Sequence, residues 1–325
     1  MLFISLNRLH FSLIIVVLTV VGCAQAPKDE EFYLFSFFRG NGEEGLFLAF
    51  SQDGYHWQEL GENHSFLTPQ AGQDKLMRDP CIIRGKDGKF HMVWTVSWNE
   101  KGIGYAYSED LLHWSEQRYL PVMEHEAGAR NAWAPELYYD EADDQYLIFW
   151  SSTITGRYPE TQSEKENSYN HRMYYVTTKD FQDFSPTGLL YEPGFNVIDG
   201  TIVKEGDEYI MFIKDETIEP AEKNIRITRS GQLPEGFGPA SPPITGDYWA
   251  EGPTATKIGE DWIVYFDKYM DKKMGAVTSK DLVAWQDISD QVSFPQGMRH
   301  GTVFKVTAEE FSNVQASITN PGNKP

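Results

Sequence analysis

Four acidic residues, Asp79, Glu136, Asp199 and Glu251, stand beside proline or glycine at what reads as one point in four successive repeats. Asp79 leads RDPCII, Glu136 ends WAPE, Asp199 leads DGTIV and Glu251 leads EGPTAT. Two carboxyl groups across a sugar ring are what glycosidic hydrolysis needs. In the inverting version one acid protonates the leaving oxygen and an ionised partner activates water on the opposite face, roughly 6.5–9.5 Å away. Inner strands of nonadjacent repeats can open such a gap, whereas neighbours on one strand cannot. Singly, each acid reads as well as a turn or rim residue. Shared placement in successive repeats favours a common centre if the repeats are radial.

The elements that must position these acids are strands. Each acid is followed 10 or 11 positions later by an aromatic residue, Phe90, Tyr146, Tyr209 or Trp262, across a turn rich in Gly and Asp. Such turns supply the positive φ that tight hairpins require. The runs FHMVWTVSW, YLIFWSS, YIMFI and WIVYF are aromatic, β-branched and short, as second strands should be. A third strand then ends in a Ser/Thr-x-Asp turn before an aromatic: SQDGYHW, SEDLLHW, TKDFQDF and SKDLVAW. RSGQLPEGF at 229–237 is a degenerate copy.

The copy at 51–57 follows two strand-like runs, 32–38 and 45–51, with no first strand ahead of them. RHGTVFKV at 299–306 is a first strand with nothing after it, and His300 fills the slot that acids hold elsewhere. The C-terminal strand is therefore expected to complete the N-terminal repeat. The predicted fold is all-β, a five-bladed β-propeller of four-stranded blades over 32–310, closed by that strand. A polar tail, expected to lack order, follows at 311–325.

Arg8 precedes an apolar run of about a dozen residues that ends at Cys23. This length suits a signal peptide better than a spanning helix. LTVVGC resembles a bacterial lipobox, which implies cleavage after Gly22, a lipid on Cys23 and a tether over 23–31. The expected location is the bacterial outer membrane, with the lipid as the sole membrane contact. Cys81, the other cysteine, reads as a small buried residue. Net charge is −20, or −21 once residues 1–22 and Arg8 are removed. That argues against nucleic acid or anionic lipid as partner and leaves a neutral polysaccharide unaffected.

Together these motifs resemble glycoside hydrolase family 43, five-bladed enzymes that act by inversion, largely on arabinofuranosides and xylosides. The resemblance covers about 32–306. RDP implies Asp79 as general base, IDG implies Asp199 as the residue that tunes and orients the acid, and EGP implies Glu251 as general acid. RHG matches the family's fifth-blade histidine, which sits near the axis and often meets a bound ion through water. WAPE departs from the family's Trp-Ala-Pro-Asp, so Glu136 is left without a chemical role. No cofactor is required by this reading, and calcium or sodium near His300 is the one ion it allows; no metal ligands are assigned.

The roles set conditions. Glu251 must stay protonated near neutral pH, aided by burial and an ionised Asp199. Asp79 must be ionised. Arg78, next to it, is expected on the opposite strand face and not as its partner. Trp133, Trp249 and His300 are the expected substrate contacts. Trp98 serves equally as blade packing, and Tyr248 also flanks the motifs. His300 alone reads more readily as a satisfied buried histidine than as a metal ligand. Arg226 faces either the channel or a blade. The long insertion at 153–172 is expected beside the substrate cleft. The competing class is a noncatalytic glycan-binding lipoprotein on the same fold. A retaining invertase-type enzyme is disfavoured, because no N-terminal Asn-Asp-Pro supplies its nucleophile.

Overall fold

The computed structural model describes residues 31–319. The expected signal peptide, Cys23 and all of the expected tether but Glu31 lie outside these residues. Among the described residues, nineteen strands form five antiparallel sheets. The N-terminal blade holds β1 (Glu31–Phe37), β2 (Phe47–Ser51) and β3 (Gln58–Leu60). The second holds β4 (Arg78–Arg84), β5 (Phe90–Thr95), β6 (Ile103–Ser108) and β7 (Arg118–Leu120). The third holds β8 (Trp133–Asp140), β9 (Gln145–Thr153), β10 (His171–Thr178) and β11 (Gly188–Tyr191). The fourth holds β12 (Val197–Glu205), β13 (Glu208–Asp215) and β14 (Asn224–Ser230). The fifth holds β15 (Glu251–Ile258), β16 (Asp261–Lys268), β17 (Lys273–Ser279) and β18 (Gln286–Asp287). Finally β19 (Val303–Thr307) pairs with β1, Phe32 opposite Val306 and Leu34 opposite Phe304, and α1 (Ala308–Thr319) follows.

The C-terminal strand thus completes the N-terminal blade and closes the ring, as the sequence implied. The fourth blade has three strands among the described residues. Its fourth is missing where the Ser/Thr-x-Asp turn is degenerate. In the intact copies that turn is held locally. Ser108 Oγ accepts from Leu111 N at 2.8 Å, and Asp110 Oδ1 accepts from Leu112 N and His113 N at 2.9 and 2.8 Å. Ser279 and Asp281 repeat the pattern before Trp285.

Five apolar clusters fill the gaps between neighbouring blades. Phe90, Trp94, Trp150, Phe212 and Tyr265 are fully buried in them. At about 1.5–3 kcal/mol for each large apolar side chain removed from water, these interfaces are the main source of stability. Cys81 is buried, as expected.

The expectation of a disordered tail from 311 does not hold through 319. α1 is a helix whose Phe311 stacks on Phe32 at 4.1 Å between centroids and lies 4.8 Å from Phe50. Its polar composition masked two apolar residues three apart, Phe311 and Val314, which share one helix face and are buried.

Candidate active site

The innermost strands β4, β8, β12, β15 and β19 contact one another around the ring and bring the motif residues to one mouth. Each of β4, β8, β12 and β15 breaks its pairing at that end with an irregularity: Arg78/Cys81, Trp133/Glu136, Ile198/Thr201 and Glu251/Thr254. Its second residue has left-handed φ: Asp79 52°, Ala134 46°, Asp199 54° and Gly252 60°. Bulges of this kind re-aim side chains and recur beside active sites.

This geometry corrects the register read from sequence. Asp79 and Asp199 are equivalent. Glu251 stands one residue earlier, where Arg78 and Trp133 stand in their blades. Glu136 stands two residues later, level with Cys81, Thr201 and Thr254. The bulge also overturns the expectation that Arg78 turns away from Asp79. Strand alternation fails across a left-handed residue, and Arg78 and Asp79 line the same cavity.

That cavity has a volume of about 430 Å³ and is walled by Asp79, Asp199, Glu251, His300, Trp98 and Trp133, with Arg78, Glu216, Tyr269 and Arg299 completing its charged and aromatic lining. His300 Nδ1 lies 3.3 Å from Asp79 Oδ1, and Thr95 Oγ1 donates to Asp79 Oδ2 at 2.8 Å. Burial works to raise the Asp79 carboxyl, but the His300 hydrogen bond and charge, with Arg78 and Thr95, outweigh it and bring it down to about 2. His300 is buried too. Asp79 chiefly, with the charges of Asp199 and Glu136, overcomes that burial and pushes the imidazole up to about 9. The axis therefore carries an imidazolium beside an ionised Asp79.

Asp199 Oδ2 accepts from Gly252 N at 3.0 Å, and its own N–H donates to Ser151 Oγ at 3.2 Å. Burial pushes Asp199 up to about 6. Gly252 has to be glycine twice over. Its φ is left-handed, and a Cβ there would meet the His300 ring at 2.2 Å.

Glu251 has partners that sequence reasoning missed. Lys214 Nζ, from the end of β13, lies 3.0 Å from Oε2, and Arg299 Nη2 lies 3.1 Å from Oε1. Arg299 also pairs with the buried Asp267. Burial and Asp199, the two influences expected to govern Glu251, thus act beside two cations. Arg299 was findable, since RHG aligns it with Arg78 of RDP. Lys214 sits 15 residues beyond Asp199 on another strand and carried no signal.

Glu136 is buried below the mouth. It accepts from Thr302 Oγ1 at 2.9 Å, Thr201 Oγ1 at 3.1 Å and Cys81 Sγ at 3.5 Å. Burial is the main influence and leaves it at about 7. It ties three other blades together and does not line the cavity. The donors around His300 do not suit a directly ligated ion. Asp79, Asp199 and Glu136 already accept hydrogen bonds, calcium wants six or more oxygens, and no metal-holding group of His, Cys, Asp or Glu exists among the described residues.

Trp133 lines the cavity, donates through Nε1 to Trp98 O at 3.0 Å and meets Tyr169 of the 154–170 loop at 4.6 Å. Trp98 is 42% exposed and is covered on one side by Arg78, whose guanidinium lies 4.2 Å from the ring centre. Trp249 does not line the cavity; it packs 5.9 Å from Tyr269, which does. Tyr248 stacks on Phe266, and Arg226 pairs with Asp215 and Glu222 inside its blade. The 154–170 loop touches the cavity wall through Tyr169 and lines a second hollow of about 260 Å³ with Thr217 and Glu219.

Comparison with known proteins agrees with this architecture. The glycosyl hydrolase family 43-related profile, described as "Probable glycosyl hydrolase domain", matches residues 29–312. An alpha-L-arabinofuranosidase of Bifidobacterium longum subsp. longum is 26% identical over 263 residues, 68% of this chain and 24% of that protein. The chain thus spans about a quarter of that relative's length. Among solved structures, an alpha-L-arabinofuranosidase from Lactobacillus brevis superposes with a TM-score of 0.52 at 19% identity, covering 66% of this chain and 72% of that one. The Bacteroides ovatus xyloglucan PUL GH43B gives 0.51 at 17% identity, covering 69% and 42%. At these identities the structures share the fold.

Proposed function

Because the chain belongs to the glycosyl hydrolase family 43-related family, we propose that it is an inverting glycosidase for arabinofuranosides, xylosides or related plant-type glycans. Asp79 is the general base, Glu251 the general acid, and Asp199 the residue that orients the acid's strand. The observation that carries this reading is the pairing of an ionised Asp79 with a second carboxyl, Glu251, on another blade of one cavity. A carboxyl group that deprotonates water must itself be ionised. His300 and Thr95 keep Asp79 so and fix its orientation. The Asp199 carboxylate grips Gly252 N, next to Glu251, and so sets the acid's backbone. Trp133 offers a platform for a sugar face, and His300 supports the site through Asp79. A calcium or sodium ion near His300 fits this reading only if held through water.

Alpha-L-arabinofuranosidase in the curated relative points to pentofuranosides as the first substrates to try. A panel of aryl glycosides, with Asp79→Asn and Glu251→Gln beside wild type, tests the assignment. Wild type should release a sugar, and both variants should fold and lose turnover. The second reading, a glycan-binding protein without catalysis, is favoured by one observation: both oxygens of Glu251 are engaged by cations. Binding without release of any pentose or galactofuranose would select it. Export as a Cys23-anchored outer-membrane lipoprotein belongs to the same proposal. Labelling with a fatty-acid analogue, lost in Cys23→Ser, tests it.

A further inference from the structure

From Glu251, four charged side chains continue in alternating sign, of which Glu216 also lines the cavity. Lys214 Nζ bridges Glu251 Oε2 at 3.0 Å and Glu216 Oε2 at 2.7 Å. Glu216 Oε1 then pairs with Lys223 Nζ at 2.8 Å, and Lys223 Nζ with Glu166 Oε2 at 2.6 Å. The two lysine side chains are 2% and 1% exposed, while Glu166 reaches the surface. Such burial is costly for an ammonium unless each is paired and hydrogen-bonded. Here each lysine holds two carboxylates, so removing one link shifts the charge balance of the next without leaving it unpaired.

The outer end of this chain is itself fixed. Glu166, Asn167 and Ser168 all take left-handed φ, 50°, 57° and 57°. Arg130 Nη1 donates to Asn167 O and Ser168 O at 2.9 and 3.0 Å, with its guanidinium over Tyr169. A surface loop, inserted between the second and third strands of one blade, is thereby joined electrostatically to a carboxyl on another blade.

We propose that Lys214, Glu216, Lys223 and Glu166 are positioning residues for Glu251, and that their alternating charges set the pH range over which it can donate a proton. This rests on Glu251 being the general acid. Lys214 alone would favour the charged, useless form of the acid. Glu216 opposes Lys214, Lys223 opposes Glu216, and the loop's Glu166 opposes Lys223. The other groups facing Glu251 are Arg299, Asp267, Asp199, His300 and Tyr269. Lys214 Nζ also lies 4.6 Å from the centre of the Tyr269 ring, so its replacement reaches that group too, whereas Arg299 and Asp267 pair with each other apart from the chain.

An acid catalyst is lost as pH rises, so its protonation shows in the alkaline limb of the pH–rate profile. Lys214→Met should move that limb up, by roughly 1–3 pH units for the loss of an adjacent cation. Lys223→Met should move it up by less. Glu216→Gln and Glu166→Gln should move it down, the second by the smallest amount. A purely structural role would lower rates without alternating the direction.

The test measures kcat/KM against pH with a phenyl glycoside, and follows the Glu251 side-chain carboxyl by carbon-13 NMR titration, which needs no turnover. Alternating shifts along the chain support the proposal. Shifts of one sign, or none, in variants with wild-type Tm overturn it. If Lys214→Met does not fold, Lys214→Arg should leave the limb in place, and the exposed Glu166→Gln still reports the sign. A fully active Glu251→Gln sinks the acid assignment itself. An inactive Glu251→Gln with no alternation sinks only the charge chain.

Discussion

His300 Nδ1 sits 3.3 Å from Asp79 Oδ1, and this contact joins the C-terminal strand's approach to the first strand of the second blade. It places a cation where the five inner strands converge. Removing it with His300→Gln should lower kcat/KM by roughly 100-fold, the lower end of what acid–base catalysis contributes. The loss should fall on kcat more than on KM, since the imidazole acts on the base.

The same histidine gives stability a pH dependence. Its folded value of about 9 exceeds the ordinary 6.5, so its contribution is complete below pH 6.5 and is lost as pH rises towards 9. A shift of this size corresponds to roughly 3 kcal/mol. Thermal unfolding from pH 7 to 9 should show Tm falling in wild type and a flatter curve in His300→Gln. Equal slopes would contradict the ion pair.

Asp79, at about 2, is ionised at every pH where the fold is expected to be used. The acid limb of the rate profile should therefore follow Asp199, which gains its charge only above about 6. We expect activity to fall on acidification near pH 6, and Asp199→Asn to remove that limb along with most of kcat. A limb below pH 4 would reassign it.

Glu136 should prove structural. Glu136→Ala leaves Thr302, Thr201 and Cys81 without an acceptor, costing roughly 1–3 kcal/mol per buried donor. Glu136→Gln, which keeps an acceptor, should fold and retain turnover. Addition of calcium or of a chelator should leave the Tm of wild type unchanged within about a degree, because a directly ligated ion has no donor set there.

Gly252→Ala tests the packing of the mouth. A methyl group would strike the His300 ring and sit at a φ that alanine resists. Destabilisation of at least roughly 1–3 kcal/mol is expected from the backbone alone, with activity lost even where the protein folds. Near-wild-type kcat would contradict the arrangement of β15 against β19.

Much of this was legible in the chain. The repeated hairpins, the aromatic second strands and the missing first strand together dictated five blades and their closure. The acids were found, but their equivalence was misread. Counting residues assumes strand alternation, and a left-handed bulge in four of the five inner strands breaks it between Arg78 and Cys81 and at the three corresponding places. Trp249 was placed by the same count and packs outside the cavity wall. Lys214, Glu216 and Tyr269 reach the site from the ends of second strands, at distances along the chain that no motif records. α1 was missed because two buried apolar residues among polar ones leave little trace in composition.

The central claim is that Asp79 activates water while Glu251 protonates the leaving group from the other side. The most direct measurement is proton NMR of the first product released from an aryl pentofuranoside or pentopyranoside, read before mutarotation. The account predicts a product of inverted anomeric configuration, absent in Asp79→Asn and Glu251→Gln. A product of retained configuration would contradict it.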